Sequence, residues 1–115
     1  MRLDRDASIL EHIVSYCEQI ELTVERFGDS YDTFQVDAIY RNAAALCILQ
    51  IGELVGKLTE DFRNSHDAIP WRKIKAMRNI VAHSYGTVDS EITWEIIQDG
   101  IPELKSYCLQ VLKET

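Results

Sequence analysis

The stretch Arg78-Asn79-Ile80-Val81-Ala82-His83-Ser84-Tyr85 holds an arginine, a histidine and a tyrosine at fixed offsets. Those three side chains suffice for chemistry on phosphate. Arginine offers a planar fork of donors, suited to a phosphate that gathers negative charge as a fifth oxygen approaches phosphorus. A histidine close to a helix C-terminus feels the negative end of the helix dipole, which favours imidazolium. His83 is therefore expected to act as acid or base near neutral pH.

Their positions follow from treating residues 70–85 as one helix at roughly 100° per residue. Tyr85 then lies within about 20° of Arg78, and His83 about 140° away. Ile74, Met77 and Val81 form one apolar stripe, while Ala76 and Ile80 form a second on nearly the opposite side, close to His83. A helix with two apolar sides is buried on both. One side packs into its own bundle and the other calls for a further partner, most simply a second copy related by a twofold axis, with His83 toward the seam.

This R-x4-H-x-Y pattern near the end of a helix, in a short helical chain, resembles the HEPN superfamily and, within it, the HepT-like ribonuclease toxins. The resemblance covers most of the chain. It includes a long second helix with Arg41-Asn42 and Gln50-Ile51-Gly52-Glu53, the Ile69-Pro70-Trp71 start of the motif helix, and the Arg78-Asn79 to Ala82-His83-Ser84-Tyr85 core. It implies a homodimer with the site in a cleft between protomers.

The economical reaction for these groups is attack by a ribose 2'-hydroxyl on the adjacent phosphodiester, which supplies its own nucleophile and calls for no metal or other cofactor. The substrate is then RNA. Arg78 is assigned to the phosphate and His83 to proton transfer, and Asn79 supports by orienting the phosphate or holding Arg78. One histidine per protomer leaves open which group is the base and which the acid. A dimer that places two His83 and two Arg78 around one cleft would supply both. The resemblance further implies that Tyr85 is the target of an MNT-type nucleotidyltransferase antitoxin, which transfers AMP to its hydroxyl. An added phosphate on the Arg78 face would pair with that arginine and block the substrate's place.

Charge opposes this reading at first, since a net charge of -7 and a pI near 4.8 disfavour loose binding to a polyanion. The distribution reverses the point. Between Asp67 and Asp89 there is no acidic residue, while Arg72, Lys73, Lys75 and Arg78 all fall there, so this window is +4. The remainder carries 8 basic against 19 acidic residues, or -11. Arg72, Lys73 and Lys75 are accordingly the candidate RNA-binding residues. The bland alternative is a run of solvated helix charges.

The elements that must position these groups can be read from periodicity. With 115 residues, 46% hydrophobic content, 5 Gly and 2 Pro, the chain is expected to form a single all-α domain over 1–115. Helix one is expected from about Asp4 to Arg26 on Ile9, Ile13, Cys17, Ile20 and Val24, ended by Phe27-Gly28-Asp29. A long second helix, capped by Asp32 or Thr33, is expected to about Arg63 on Ile39, Leu46, Leu49, Val55, Leu58 and Phe62. Pro70 suits the first turn of the third helix and Gly86 its exit. A last helix, capped by Asp89 or Ser90, carries Ile92, Ile96, Ile97, Ile101, Leu104, Leu109 and Leu112, with a kink at Gly100-Ile101-Pro102. The sum is an antiparallel four-helix bundle, or five helices if Pro102 splits the last.

No apolar run approaches the roughly 20 residues of a bilayer span, and the chain opens on Arg2, Asp4, Arg5 and Asp6 instead of a leader, so a cytoplasmic protein without membrane contact is expected. Cys17, Cys47 and Cys108 read as small buried hydrophobes. No Glu-x-x-His pair precedes His12, His66 or His83, and there is no Cys-x-x-Cys, glycine-rich phosphate loop or Gly-x-Ser-x-Gly, so no metal site is assigned. Trp71 and Trp94 are expected as core or interface anchors, and Gln50 and Glu53 as partners of the site or polar groups satisfied across the bundle. The competing functional readings are a non-catalytic helical module that docks a nucleotidyltransferase, and a plain dimeric scaffold.

Overall fold

The computed structural model describes residues 3–83 and 90–114, with the side chains of 3, 4, 77 and 80–83 set aside. Four long helices form the body: α1 (Leu3–Phe27), α3 (Ala38–Lys57), α5 (Trp71–His83) and α7 (Ile101–Glu114). Three short helices join them: α2 (Tyr31–Val36), α4 (Glu60–Ser65) and α6 (Ser90–Glu95). A π-helical turn, Ile96–Gly100, links α6 to α7, and there is no strand among the described residues. The expected all-α bundle is thus the fold.

α1 is amphipathic as its periodicity requires, with Ile9, Ile13, Cys17 and Ile20 buried and Glu11, Glu18, Glu21 and Glu25 exposed. Gly28 ends it with φ at +115°, a conformation that a side chain resists, and its amide donates to the Val24 carbonyl at 2.8 Å.

The single long second helix does not form. Ser30, two or three residues before the expected cap positions, accepts from the Thr33 amide at 3.4 Å and starts α2. Asp37 then leaves helical geometry and caps a new helix, its Oδ1 accepting from the amides of Ile39 and Tyr40 at 2.9 and 3.2 Å. Arg41 donates to the Gln35 carbonyl at 2.6 Å across this bend. A second break falls at Leu58-Thr59, where both residues are extended. Thr59 caps α4 through the Phe62 amide at 3.1 Å, and the wholly buried carboxylate of Asp6 accepts from the Thr59 amide at 2.9 Å and hydroxyl at 2.7 Å.

The packing is antiparallel. Tyr40, near the start of α3, donates to the Gly28 carbonyl past the end of α1, whereas Thr59, beyond the end of α3, meets Asp6 near the start of α1. Lys105 of α7 pairs with Glu21 of α1 at 2.7 Å and reaches Glu18 at 3.9 Å. Trp94 stands among Tyr31, Phe34 and Tyr40, with ring centres 5.2–6.3 Å away. Trp71 lies buried beside Phe62 and Tyr107, so both tryptophans anchor the core.

The expected kink before Pro102 takes the form of the π turn. In it the Ile101 amide reaches back five residues to the Ile96 carbonyl, and Ile96, Ile97 and Ile101 all stay buried. The cysteines are free thiols in the interior, and burial pushes Cys17 and Cys108 up to about 12 and raises Cys47.

Two corrections concern α3. It is 20 residues long and apolar enough to reach the length of a membrane span, which the sequence was expected to lack. It is the central helix, packed on α1 and α5, with Tyr40, Ala44, Ile48, Ile51 and Val55 inside. Ile39 and Leu46, expected in the core, face outward, 70% and 56% exposed. α3 therefore has an inner apolar face and an outer one.

Candidate functional site

The site is built on the contact between α3 and α5. Pro70 supplies the carbonyl that accepts the first helical bond of α5, from the Ile74 amide at 3.1 Å. Trp71 fixes the rotation of the helix: its indole is buried and Nε1 donates to the His66 carbonyl at 2.9 Å. With Trp71 and Ile74 turned inward, Arg78, two turns after Trp71, falls on the flank that meets α3, while Arg72, Lys73, Lys75, Ala76 and Asn79 are exposed.

Gly52 makes that contact possible. A Cβ at position 52 would overlap Cβ of Arg78 and stand 2.8 Å from its Cγ. One turn further along α3, a Cβ on Gly56 would be 3.3 Å from Nζ of Lys75. The two glycines form a shallow channel in which the stem of Arg78 and the tip of Lys75 lie, and the order of contacts shows α3 and α5 antiparallel.

The guanidinium is gripped from both sides. Nη2 of Arg78 meets Oε1 of Glu53 at 2.5 Å, and Nη1 donates to Oδ1 of Asn79 at 3.1 Å. Nε is buried with no hydrogen-bond partner among the described residues. The Arg78 side chain is 38% exposed and that of Glu53 is 51% exposed. Each terminal nitrogen carries two hydrogens and has one acceptor here, which leaves donors for an incoming anion.

The structure thus joins Arg78 and Asn79 by a hydrogen bond. It also adds Glu53, whose role the sequence left open, and Gly52, to which the sequence assigned none. Glu53 is exposed and not buried, and Gln50, one turn earlier, is half-buried. A glycine in the middle of a helix is itself a signal of close backbone approach, and Gly52 carried that signal. Arg72, Lys73 and Lys75 are all exposed on α5. His83 is the last residue of α5; its side chain, and all of Ser84, Tyr85, Gly86 and Asp89, lie outside the described residues. Of the other histidines, His12 is exposed on α1, and His66 stacks on Phe62 with ring centres 4.2 Å apart. Among the described residues no three His, Cys, Asp or Glu side chains gather as metal ligands.

The described fold is an all-α bundle that presents an arginine on α5, beside a central helix with a second apolar face, and it is consistent with a HEPN-like domain. Residues 13–111 match the model of the ribonuclease HepT-like family, and the chain belongs to that family. It is 36% identical over 106 residues to a candidate RNase of Caldanaerobacter subterraneus subsp. tengcongensis, covering 91% of this chain and 92% of that one. It is 31% identical over 97 residues to a protein of Thermococcus cleftensis named a probable ribonuclease HepT, covering 83% of this chain and 87% of that one. A Methanocaldococcus jannaschii protein named a gamma-glutamylcyclotransferase and candidate RNase is 35% identical over 108 residues; the match spans 91% of this chain but 46% of that longer one. No solved structure matches. Family and relatives together support ribonuclease function.

Proposed function

We propose that the chain is a metal-independent endoribonuclease, the cytoplasmic toxin of a toxin-antitoxin pair, that cuts RNA by 2'-hydroxyl attack at the cleft of a homodimer. The observation that carries this reading is the Arg78 guanidinium, oriented by Glu53 and Asn79 yet still partly open, on a helix whose other cations, Arg72, Lys73 and Lys75, are exposed. In the reaction the ribose 2'-oxygen loses its proton and bonds to phosphorus, the bond from phosphorus to the 5'-oxygen breaks, and the leaving oxygen takes a proton. The products are a 2',3'-cyclic phosphate and a 5'-hydroxyl. Arg78 holds the phosphate oxygens as their charge grows, and His83 of one protomer or the other moves the protons.

The outer face of α3 supports the homodimer. Ile39, Ala43 and Leu46 recur at helical spacing along it, and Ala43 and Leu22 line a groove of about 290 Å³ with Phe27, Gln19, Thr23 and Arg26. The same face runs on through Gln50 to Glu53, so a twofold axis near α3 would set two Arg78 side chains on either side of one seam. Tyr85 is the site where an MNT-type nucleotidyltransferase would transfer AMP, the new phosphate taking the donors that Arg78 otherwise offers to RNA.

The test is cleavage of a mixed RNA pool by protein with unmodified Tyr85 in excess EDTA, with Arg78→Ala and His83→Ala as controls. Cleavage that leaves cyclic phosphate ends and disappears in both variants supports the reading. Failure of unmodified protein to cut any RNA in the pool would replace it with the second reading, a helical module that docks a nucleotidyltransferase without catalysis.

A further inference from the structure

Glu53 stands out because the ion pair it makes is poorly explained by stability. Both partners are substantially exposed, and exposed pairs of this kind contribute only about 0–1 kcal/mol. Against that, the arrangement requires Gly52 in a helix interior, where alanine would be favoured by roughly 1 kcal/mol. It also leaves Nε of Arg78 buried without a partner among the described residues. Local rules broken at one spot, with no compensating gain in stability, point to a functional constraint on where the guanidinium sits.

We propose that Glu53 is the positioning residue for Arg78: with Gly52 admitting the arginine stem against α3, its carboxylate fixes the guanidinium so that the remaining N–H groups face the scissile phosphate. The proposal rests on the ribonuclease reading. Three contacts define the orientation. The Gly52 channel fixes Cβ and Cγ, Asn79 on the same helix takes Nη1, and Glu53 on the neighbouring helix takes Nη2. Asn79 sits one residue from Arg78 and moves with α5, so among the described residues only Glu53 ties the guanidinium to α3. Without it, the long side chain is free to swing into solvent, where it still attracts RNA as a point charge but no longer meets the phosphate in a fixed fork.

This predicts an asymmetric effect on kinetics. Glu53→Ala removes a negative charge beside a polyanion site, so KM for RNA stays level or falls, while kcat drops on the order of a hundredfold. Glu53→Gln keeps an oxygen that accepts from Nη2, and it should recover most of the lost kcat. A role in folding alone would lower the active fraction and leave KM where it was in both variants.

The experiment compares wild type, Glu53→Ala, Glu53→Gln and Arg78→Ala as folded, unmodified protein, with steady-state cleavage of one RNA and nitrogen-15 spectra of arginine Nε–H exchange. Expected are the kcat loss in Glu53→Ala, its recovery in Glu53→Gln, and an Arg78 Nε–H that exchanges slowly in wild type and fast in Glu53→Ala. Full activity in Glu53→Ala overturns the proposal. So does a Glu53→Gln variant as inactive as Glu53→Ala, which would make the carboxylate a proton acceptor instead. Should wild type cut no RNA, the ribonuclease reading fails by itself. The exchange measurement still decides the positioning, since an Nε–H equally protected in Glu53→Ala refutes it.

Discussion

Gly52→Ala is the perturbation whose size the structure sets most directly. The added methyl would overlap Cβ of Arg78 and lie 2.8 Å from Cγ and 3.6 Å from Cα. Carbon contacts settle at about 3.5–4.0 Å, so α3 and α5 must part by on the order of 1 Å. Backbone is involved on both sides, and no rotamer change of Arg78 moves its own Cβ. Overpacking of this kind costs about 1–3 kcal/mol, against which alanine gains about 1 kcal/mol in helix propensity. The balance is a net loss of up to about 2 kcal/mol, or a Tm lower by up to roughly 8 °C in a domain of this size. Gly56→Ala is the matched control. Its methyl would meet only Nζ and Cε of Lys75, at 3.3 and 3.7 Å, and that flexible tip can move aside. Here the propensity gain stands almost alone, so stability rises by up to about 1 kcal/mol. Urea unfolding followed by far-ultraviolet circular dichroism reads both variants. Equal signs for the two substitutions, or a Gly52→Ala protein as stable as wild type, would refute the close-packed channel. If Arg78 acts as proposed, Gly52→Ala also lowers RNA cleavage on the order of a hundredfold, while Gly56→Ala does not.

Thr59→Val removes the hydroxyl that caps α4 and donates to the buried Asp6 carboxylate, while the backbone amide still donates to Asp6, so unfolding free energy should fall by about 2–3 kcal/mol in a urea titration. Burial holds Cys17 and Cys108 near 12 in the fold against a usual 9.0, so the folded state keeps protons that the unfolded chain releases. Stability is then intact below pH 9 and is lost as pH rises from 9 toward 12, by up to about 1.4 kcal/mol per pH unit for each thiol; thiol reagents should label neither before unfolding. Leu46→Glu places a charge on the outer face of α3 without touching the interior; if the proposed dimer forms on that face, sedimentation should show a dimer for wild type and a folded monomer for the variant.

The inner faces of α1 and α7 were legible because their apolar residues recur at helical spacing on a single side of each helix. α3 was not, since it is apolar on two sides: its pattern hides which residues point inward, and Ile39 and Leu46 were placed in the core for that reason. The break at Asp37 carried an ordinary capping residue, yet the apolar periodicity ran straight past it from Phe34 to Tyr40. Arg78 and Asn79 could be found because their neighbours along the chain mark them. Glu53 could not, because its partner lies 25 positions away and only the packing of α3 on α5 brings them together.

The π turn at Ile96–Gly100 has a bearing on how this chain tolerates changes in length. Its loop of hydrogen-bonded backbone holds one residue more than an ordinary helical turn, as the bond from Ile101 to Ile96 shows. Deleting a single residue among Gln98, Asp99 and Gly100 would let the segment close as α-helix, with Leu104, Cys108 and Val111 still in phase with the core. The same deletion inside α7 has no slack to draw on. It would rotate everything beyond it by roughly 100° and carry those three side chains from the interior into water. The turn is thus the place in the C-terminal third where the chain can shorten by one without losing its register.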